Sequence, residues 1–241
     1  MCGIVGYIGY RDAYPVLIKG LHRLEYRGYD SAGVALLTDD DKMNVYKEKG
    51  KVSNLEALAA TKDTSGHIGI AHTRWATHGE PSMVNAHPHV SQNGKLALVH
   101  NGIIENYASL KTFLEEKGYT FKSSTDTEVL VLLIEFIQDE YHKNLREAVS
   151  AALRRVTGAY AIAVLDTDSP DRIVVARKSS PLVVGIGEDH KEFFLASDAL
   201  PIVEYTNQMV YLNDGEVATL KVDEKMEIYN LDNEEIDPKV K

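Results

Sequence analysis

The chain begins MCGIVGYI (residues 1–8), and this stretch joins a cysteine to a short apolar run. The run from residue 4 to residue 8 is bounded by Gly3 and Gly9, which predicts a buried strand with Cys2 at its start. A strand of this kind needs neighbours on both faces, so we expect it to lie inside a layered fold.

Cys2 is the only cysteine among 241 residues. Because an initiator methionine is removed when the next side chain is small, we expect Met1 to be absent from the mature chain. A thiol and a free α-amine would then share one residue. Their reference pKa values, about 8.5 and about 7.7–8.0, allow a proton to pass between them near neutral pH. The alternative is that a lone cysteine is simply a small buried hydrophobe.

The composition excludes several classes of protein. A net charge of −10 argues against nucleic acid and against anionic membranes as partners. No apolar stretch approaches 18 residues, and no basic segment precedes an apolar run, so we expect neither a membrane span nor a signal peptide. A single cysteine forms no internal disulfide, which favours a reducing compartment, and we expect the cytoplasm.

Two groups of strands with helices between them predict an α+β fold of stacked sheets covered by helices. Helices are expected at 13–25, 54–61, 106–117, 127–141 and 144–155. Strands are expected at 4–8, 31–38, 43–47, 67–72, 96–100, 159–165, 173–176, 182–186, 193–196, 209–212 and 217–220. We assign residues 1–230 to one domain and the polar residues 231–241 to a charged linker. Residues 73–94 show no period, and a loop of that length usually has a function.

That loop region holds a dense cluster of functional side chains, HTRWATHG (72–79) and NAHPH (85–89). Arg74 is suited to hold a substrate carboxylate through a bidentate fork, with Trp75 as an apolar lid. The alternative is a metal site built from the four histidines. Their spacings of six, nine and two residues match neither a helical pair nor a zinc knuckle, so we predict no metal. Histidines that satisfy loop carbonyls are the simpler interpretation for at least two of them.

Asn101 and Gly102 follow a predicted buried strand. A side-chain amide beside a glycine N–H suits an oxyanion hole, since glycine lets the backbone approach a reacting carbonyl. The alternative is an Asn-Gly hairpin turn. The residues from 105 onward resemble a helix more than a returning strand, which weakens the hairpin interpretation.

A polar segment, SSTDTE (123–128), precedes a long apolar helix. Thr125 or Asp126 is a candidate N-cap, with Glu128 available for a capping box. Alternatively, Asp126 binds a substrate ammonium group. One carboxylate can lie at a helix start and still face a cleft.

Together these motifs resemble the glutaminase domain of class II glutamine amidotransferases over almost the whole chain. Residues 25–33, 72–80 and 85–89 are similar to the branch whose full-length members make glucosamine 6-phosphate. The resemblance implies the fold of N-terminal-nucleophile hydrolases, an αββα four-layer sandwich with two mostly antiparallel sheets between helical layers.

The resemblance also implies catalytic roles. Cys2 would attack the side-chain amide of L-glutamine, with its α-amine accepting and returning protons. Asn101 and the Gly102 N–H would stabilise the oxyanion. Arg74 would bind the α-carboxylate of glutamine, and Asp126 its α-ammonium group.

Further residues would support these. Thr77 and His78 would belong to a loop that closes over glutamine, and Trp75 would gate the passage of ammonia. Arg27 would lie beside the nucleophile through its backbone, and His87 would support the same site.

The implied reaction gives glutamate and ammonia through a γ-glutamyl thioester on Cys2, with no cofactor. In the full-length enzyme, expected to be a homo-oligomer, the ammonia would convert fructose 6-phosphate to glucosamine 6-phosphate. That step needs an isomerase domain of the same polypeptide, which these 241 residues do not supply. Two alternatives stay open: the glutaminase part of another class II enzyme such as amidophosphoribosyltransferase, or a non-catalytic histidine-rich metal-binding module.

Overall fold

The computed structural model describes residues 2–76 and 79–241. The α-helices of this part are α1 (Ala13–Leu24), α2 (Val52–Ala59), α3 (Tyr107–Glu116), α4 (Asp126–Tyr141) and α5 (Leu145–Arg154). The strands are β1 (Gly3–Ile8), β2 (Ser31–Leu37), β3 (Met43–Lys49), β4 (Ile68–Arg74), β5 (His89–Val90), β6 (Leu96–Ile104), β7 (Gly158–Asp166), β8 (Arg172–Lys178), β9 (Val183–Ile186), β10 (Phe193–Ala196), β11 (Met209–Tyr211), β12 (Glu216–Lys221), β13 (Glu227–Tyr229) and β14 (Glu235–Ile236). None of the described helices is long and apolar enough to cross a membrane.

The strands form two seven-stranded sheets. The first has the order β11-β9-β10-β1-β4-β2-β3, and the second has the order β14-β13-β12-β8-β7-β6-β5. Within both sheets the paired neighbours run antiparallel. β1, which carries Cys2 at its start, lies in the interior of the first sheet between β10 and β4.

Side-chain alternation along β1 shows how the layers form. Ile4 and Ile8 enter the apolar core between the two sheets, whereas Val5 and Tyr7 enter the core beneath α1 and α2. Burying each such side chain contributes about 1.5–3 kcal/mol. A third core joins the second sheet to α3, α4 and α5. The order of layers is therefore α, β, β, α, which confirms the predicted four-layer sandwich.

The predicted helices are present, with bounds shifted by a few residues. The largest difference concerns β6, which continues to Ile104 where the sequence predicted an end at His100. Residues 101–104 stay extended because each pairs across to β7, with Asn101 opposite Ala161 and Gly102 opposite Tyr160. Long-range pairing thus overrides the weak strand preference of an Asn-Gly step.

Three strands were missed by the sequence patterns. β5 is a two-residue strand inside the predicted loop 73–94, and β13 follows the last predicted strand. The residues predicted as a charged linker, 231–241, contain β14, which pairs with β13. Lys241 also exchanges backbone hydrogen bonds with Met209, at 3.0 and 2.7 Å.

Candidate active site

A cavity of about 230 Å³ opens beside the start of β1 and is called here the Cys2 cavity. Eight of the ten residues predicted for the site line it: Cys2, Arg27, Arg74, Trp75, His87, Asn101, Gly102 and Asp126. The other two, Thr77 and His78, lie outside the described residues. The cavity also has a lining that the sequence did not predict: His100, Ile103, Thr125, Thr127, Ser180 and Pro181.

The Cys2 thiol is held by the backbone of Trp75. The Trp75 N–H donates to Sγ at 3.2 Å, and Sγ lies 3.4 Å from the Trp75 carbonyl oxygen as a donor. Burial raises the pKa of the thiol, although the Trp75 backbone hydrogen bond and the nearby Arg74 charge partly oppose this. The thiol is therefore protonated at neutral pH, and a base must remove its proton before it can attack.

Pairing of β1 with β4 explains why Trp75 lies at the thiol. Gly3 pairs with Thr73, so the end of β4 runs alongside the start of β1. The Trp75 ring, about half exposed, packs over Gly28. A Cβ on Gly28 would lie 3.0 Å from the ring, and the backbone there has φ +93°. Glycine at this position thus provides both the turn and the room for the indole.

Arg74 places a buried cation in the cavity wall. It is 3 % exposed, and it donates to the carbonyl oxygens of Gly79 and Glu80 at 3.1 and 3.2 Å. The Asp30 carboxylate lies 4.0 Å from its guanidinium. A planar guanidinium has five N–H donors, so it can bind loop carbonyls and also face a carboxylate.

Asn101 and Gly102 lie within β6 and not in a turn, so the hairpin interpretation is wrong. The Asn101 amide N–H₂ donates to the Cys2 carbonyl oxygen at 3.1 Å. Its Oδ1 lies 3.0 Å from Nε2 of His72. Gly102 has φ +124°, a conformation that L side chains rarely adopt.

Asp126 is the first residue of α4 and also lines the cavity, and its binding of a substrate ammonium group stays a prediction. Its Oδ2 accepts the Ile104 N–H at 2.8 Å. The N-cap is Thr125, whose hydroxyl accepts the Glu128 N–H at 3.3 Å. The expected capping box is only half formed, because the Glu128 carboxylate accepts the Ser123 N–H at 2.7 Å instead of that of Thr125.

Arg27 and His87 both make side-chain contacts at the cavity. The Arg27 guanidinium donates to Ser197 Oγ at 3.1 Å and to the Asp198 carboxylate at 3.4 Å, and the contribution expected from its backbone stays a prediction. The His87 ring accepts the His100 N–H at Nδ1, at 3.2 Å. Burial lowers the pKa of His87 well below its usual value, so the ring is neutral.

His72 and His100 contact the site residues, although the sequence assigned neither of them a catalytic or substrate-binding role. His72 is fully buried, and its ring stacks on that of His87 with centroids 4.0 Å apart. His100 Nδ1 lies 2.9 Å from the Thr127 hydroxyl. The spacing of these residues in the sequence does not predict that His72 and His100 lie close together, because β4 and β6 belong to different sheets. Within residues 2–76 and 79–241, no three His, Cys, Asp or Glu side chains are grouped so that they could hold a metal ion.

Solved structures define the class of the fold. The glutamine phosphoribosylpyrophosphate amidotransferase from B. subtilis, complexed with ADP and GMP, superposes with a TM-score of 0.81 at 30 % identity, over 95 % of this chain and 49 % of that one. A glutamine aminotransferase class-II domain protein from Silicibacter pomeroyi has a TM-score of 0.64 at 16 % identity, over 95 % of this chain and 99 % of that one, and shares the fold. The fold is thus the N-terminal-nucleophile hydrolase type that the motifs implied.

Sequence comparison assigns the family. The model of the glutamine amidotransferase domain matches residues 72–204. The glutamine–fructose-6-phosphate aminotransferase (isomerizing) of Bacteroides thetaiotaomicron is 66 % identical over 241 residues, all of this chain and 39 % of the relative. That of Chlorobaculum tepidum is 58 % identical over 227 residues, 92 % of this chain and 36 % of the relative. This chain belongs to the glutamine amidotransferase domain family, and it spans about two fifths of the length of these curated relatives.

Proposed function

We propose that this domain hydrolyses L-glutamine to glutamate and ammonia, with Cys2 as the nucleophile. One observation carries the proposal: the Cys2 thiol, the Arg74 guanidinium, the Asp126 carboxylate and the Asn101 amide line the same cavity. A free amino acid needs one anion partner and one cation partner at its α-carbon. Arg74 and Asp126 supply a cation for the α-carboxylate and an anion for the α-ammonium group.

In the first half-reaction the α-amine of Cys2 accepts the thiol proton while Sγ attacks the side-chain carbonyl carbon of glutamine. The carbonyl oxygen becomes an oxyanion that accepts hydrogen bonds from the Asn101 amide and the Gly102 N–H. Each such donor is worth about 2.7–4 kcal/mol in the transition state. The protonated amine then gives its proton to the leaving nitrogen, so ammonia departs and a γ-glutamyl thioester remains on Cys2.

In the second half-reaction water attacks the thioester carbonyl, and the α-amine accepts a proton from that water. The same oxyanion donors act again. The C–S bond breaks, the proton returns to sulfur and glutamate leaves, so the enzyme ends in its starting state. The backbone of Trp75 contacts the thiol, and we propose that its side chain gates the passage of ammonia and that residues 77 and 78 belong to the segment that closes over the substrate.

The names of the relatives extend the proposal to a longer protein. We propose that residues 1–230 are its glutaminase domain and that 231–241 lead to an isomerase region of the same polypeptide. That region would use the ammonia to convert fructose 6-phosphate to glucosamine 6-phosphate, in a cytoplasmic homo-oligomer. The relatives that support this are 66 % and 58 % identical, whereas the phosphoribosylpyrophosphate enzyme is 30 % identical.

The test is glutamate release from glutamine by protein whose intact mass shows that Met1 is absent. Cys2→Ala is the control for background hydrolysis, and protein that retains Met1 is the control for the α-amine. We expect turnover only in the processed wild type. Turnover no higher than that of Cys2→Ala would overturn the proposal, and full activity of Met1-bearing protein would overturn the role of the α-amine.

A further inference from the structure

We infer that His72 is the positioning residue that holds the Asn101 amide with its N–H₂ group facing the Cys2 carbonyl and the Cys2 cavity. This deepens the proposed function, on which its kinetic consequences rest. The orientation of the Asn101 amide and the tautomer of His72 do not depend on the reaction. Both follow from the neighbouring oxygens, which can only accept hydrogen bonds.

The orientation of the amide follows from the Cys2 carbonyl oxygen. That oxygen only accepts, so the amide atom 3.1 Å from it must be the nitrogen of Asn101. The other amide atom is then the oxygen Oδ1, which also only accepts. Its neighbour at 3.0 Å is Nε2 of His72, which must therefore carry a hydrogen.

A second acceptor demands the same tautomer of His72. The His100 carbonyl oxygen lies 3.1 Å from Nε2, so the single Nε2–H is shared between two oxygens. Nδ1 is then the bare nitrogen of the ring. Within the described residues Nδ1 has no hydrogen-bond partner and is shielded from solvent. A proton placed there would bury an unpaired donor together with a charge, which is costly.

The surroundings keep the ring neutral and in place. Burial lowers the pKa of His72 to about 3 and outweighs the hydrogen bonds to Asn101 and the His100 carbonyl. Electrostatic interactions with His100 and Arg74 lower the pKa further. The His87 ring stacks on the imidazole at an interplanar angle of 8°, so a turn of the His72 ring out of its plane would break this contact. His72 therefore offers the same N–H to Asn101 throughout the neutral range.

The consequence for catalysis lies in the second amide hydrogen. An amide nitrogen carries two hydrogens, and one is used by the Cys2 carbonyl. With Oδ1 held by His72, the other hydrogen stays available to the oxyanion. Without that donor, Oδ1 is left buried and unsatisfied, and only the hydrogen bond to the Cys2 carbonyl oxygen holds the amide, so its second hydrogen is directed less firmly at the oxyanion.

The kinetic test uses the 241-residue chain without Met1, in four variants beside the wild type. His72→Leu removes the donor, His72→Gln keeps an N–H near the position of Nε2, Asn101→Ala removes the amide, and the fourth combines His72→Leu with Asn101→Ala. We expect His72→Leu to lower kcat about 10- to 100-fold, less than the 10²–10³-fold loss expected for a whole oxyanion donor, with KM for glutamine little changed. His72→Gln should recover most of that loss.

The double variant separates positioning from independent action. If His72 acts through Asn101, the double variant is no slower than Asn101→Ala alone. If the two substitutions lower kcat multiplicatively, the inference is wrong. It is also wrong if His72→Gln is folded but has a kcat no higher than that of His72→Leu. Alkylation of Cys2 by iodoacetamide forms no oxyanion, so its rate should stay at the wild-type value in His72→Leu. A parallel fall in alkylation would show a general disturbance of the site and contradict positioning.

A measurement without turnover distinguishes this inference from the proposed function. The ¹⁵N shifts of the His72 ring in wild-type protein should show a protonated Nε2 and a bare Nδ1, unchanged from about pH 5 to pH 9. A protonated Nδ1, or titration within that range, would overturn the inference even in an active enzyme. If the wild type fails to hydrolyse glutamine, the proposed function is wrong. The ¹⁵N result would still show whether Nε2 of His72 donates a hydrogen bond to Asn101.

Discussion

Replacing Gly102 with alanine tests both the fold and the oxyanion hole at one position. The backbone there has φ +124°, where a residue with a Cβ costs about 1–3 kcal/mol. The new Cβ would also lie 2.2 Å from the Ala159 carbonyl oxygen and 3.1 Å from the Tyr160 nitrogen. Both atoms belong to the backbone of β7, so no side chain can rotate away. The two strands must separate by roughly 1 Å to restore ordinary contact.

That separation weakens hydrogen bonds of the β6–β7 ladder, each worth about 0.5–1.5 kcal/mol net. We expect Gly102→Ala to lower the free energy of unfolding by about 2–5 kcal/mol, a large share of the 5–15 kcal/mol of an ordinary domain. The displaced N–H should also lower kcat for glutamine about 10²-fold or more. Urea unfolding followed by far-UV circular dichroism measures the first effect, and glutamate release measures the second.

Gly118→Ala is the matched control. Gly118 also has a positive φ, +92°, but no described atom lies within 4 Å of its added Cβ. This variant carries the conformational cost without the collision, and its kcat should stay at the wild-type value. If the two variants lose equal stability, the argument from the collision is wrong. If Gly102→Ala is destabilised but keeps its kcat, Gly102 is not an oxyanion donor.

Three further predictions concern the groups around the nucleophile. Arg74→Lys replaces a bidentate guanidinium with a point charge, so KM for glutamine should rise about 10-fold or more with a smaller change in kcat. An unchanged KM in steady-state assays would show that Arg74 does not bind the α-carboxylate of glutamine. Asp126→Asn keeps an oxygen for the Ile104 N–H but loses the charge. We therefore expect a raised KM for glutamine and a free energy of unfolding within about 1 kcal/mol of the wild type. A variant that unfolds instead would assign Asp126 a purely structural role. In protein that retains Met1, burial raises the pKa of Cys2, so its thiolate forms only as the pH rises through that higher value. Alkylation by iodoacetamide, followed by intact mass, should be slow at pH 7 and should accelerate only as the pH rises above the ordinary thiol value of about 8.5. A midpoint below that value would contradict the direction of the shift.

Local patterns predicted the layered architecture and all five α-helices of the described residues. The caps illustrate why. Thr125 accepts the Glu128 N–H and Asn144 accepts the Glu147 N–H, each three residues along the chain. Capping and periodicity involve neighbours within one or two turns, so their signals are written in consecutive residues. The local motifs and the family resemblance together predicted eight of the residues that line the Cys2 cavity.

Other features of the site depend on pairing over long distances. β6 continues through Asn101 and Gly102 because β7, more than fifty residues later, pairs with every residue of that segment. The backbone carbonyls of Gly79 and Glu80 that hold Arg74 have no signature in their side chains. Strand register sets these contacts, and a register is decided by which faces can be buried together, not by one segment alone.

Cys2 shows the division between the two sources of information. The sequence by itself determined that the chain has one thiol, that this thiol precedes a buried strand and that removal of Met1 would give it a base. Only the tertiary structure decided what surrounds it: the Trp75 backbone, the Asn101 amide at its carbonyl, and His72 behind that amide. The physical reason is that His72 and Asn101 come from strands of different sheets, and their contact exists only once the two sheets have packed face to face.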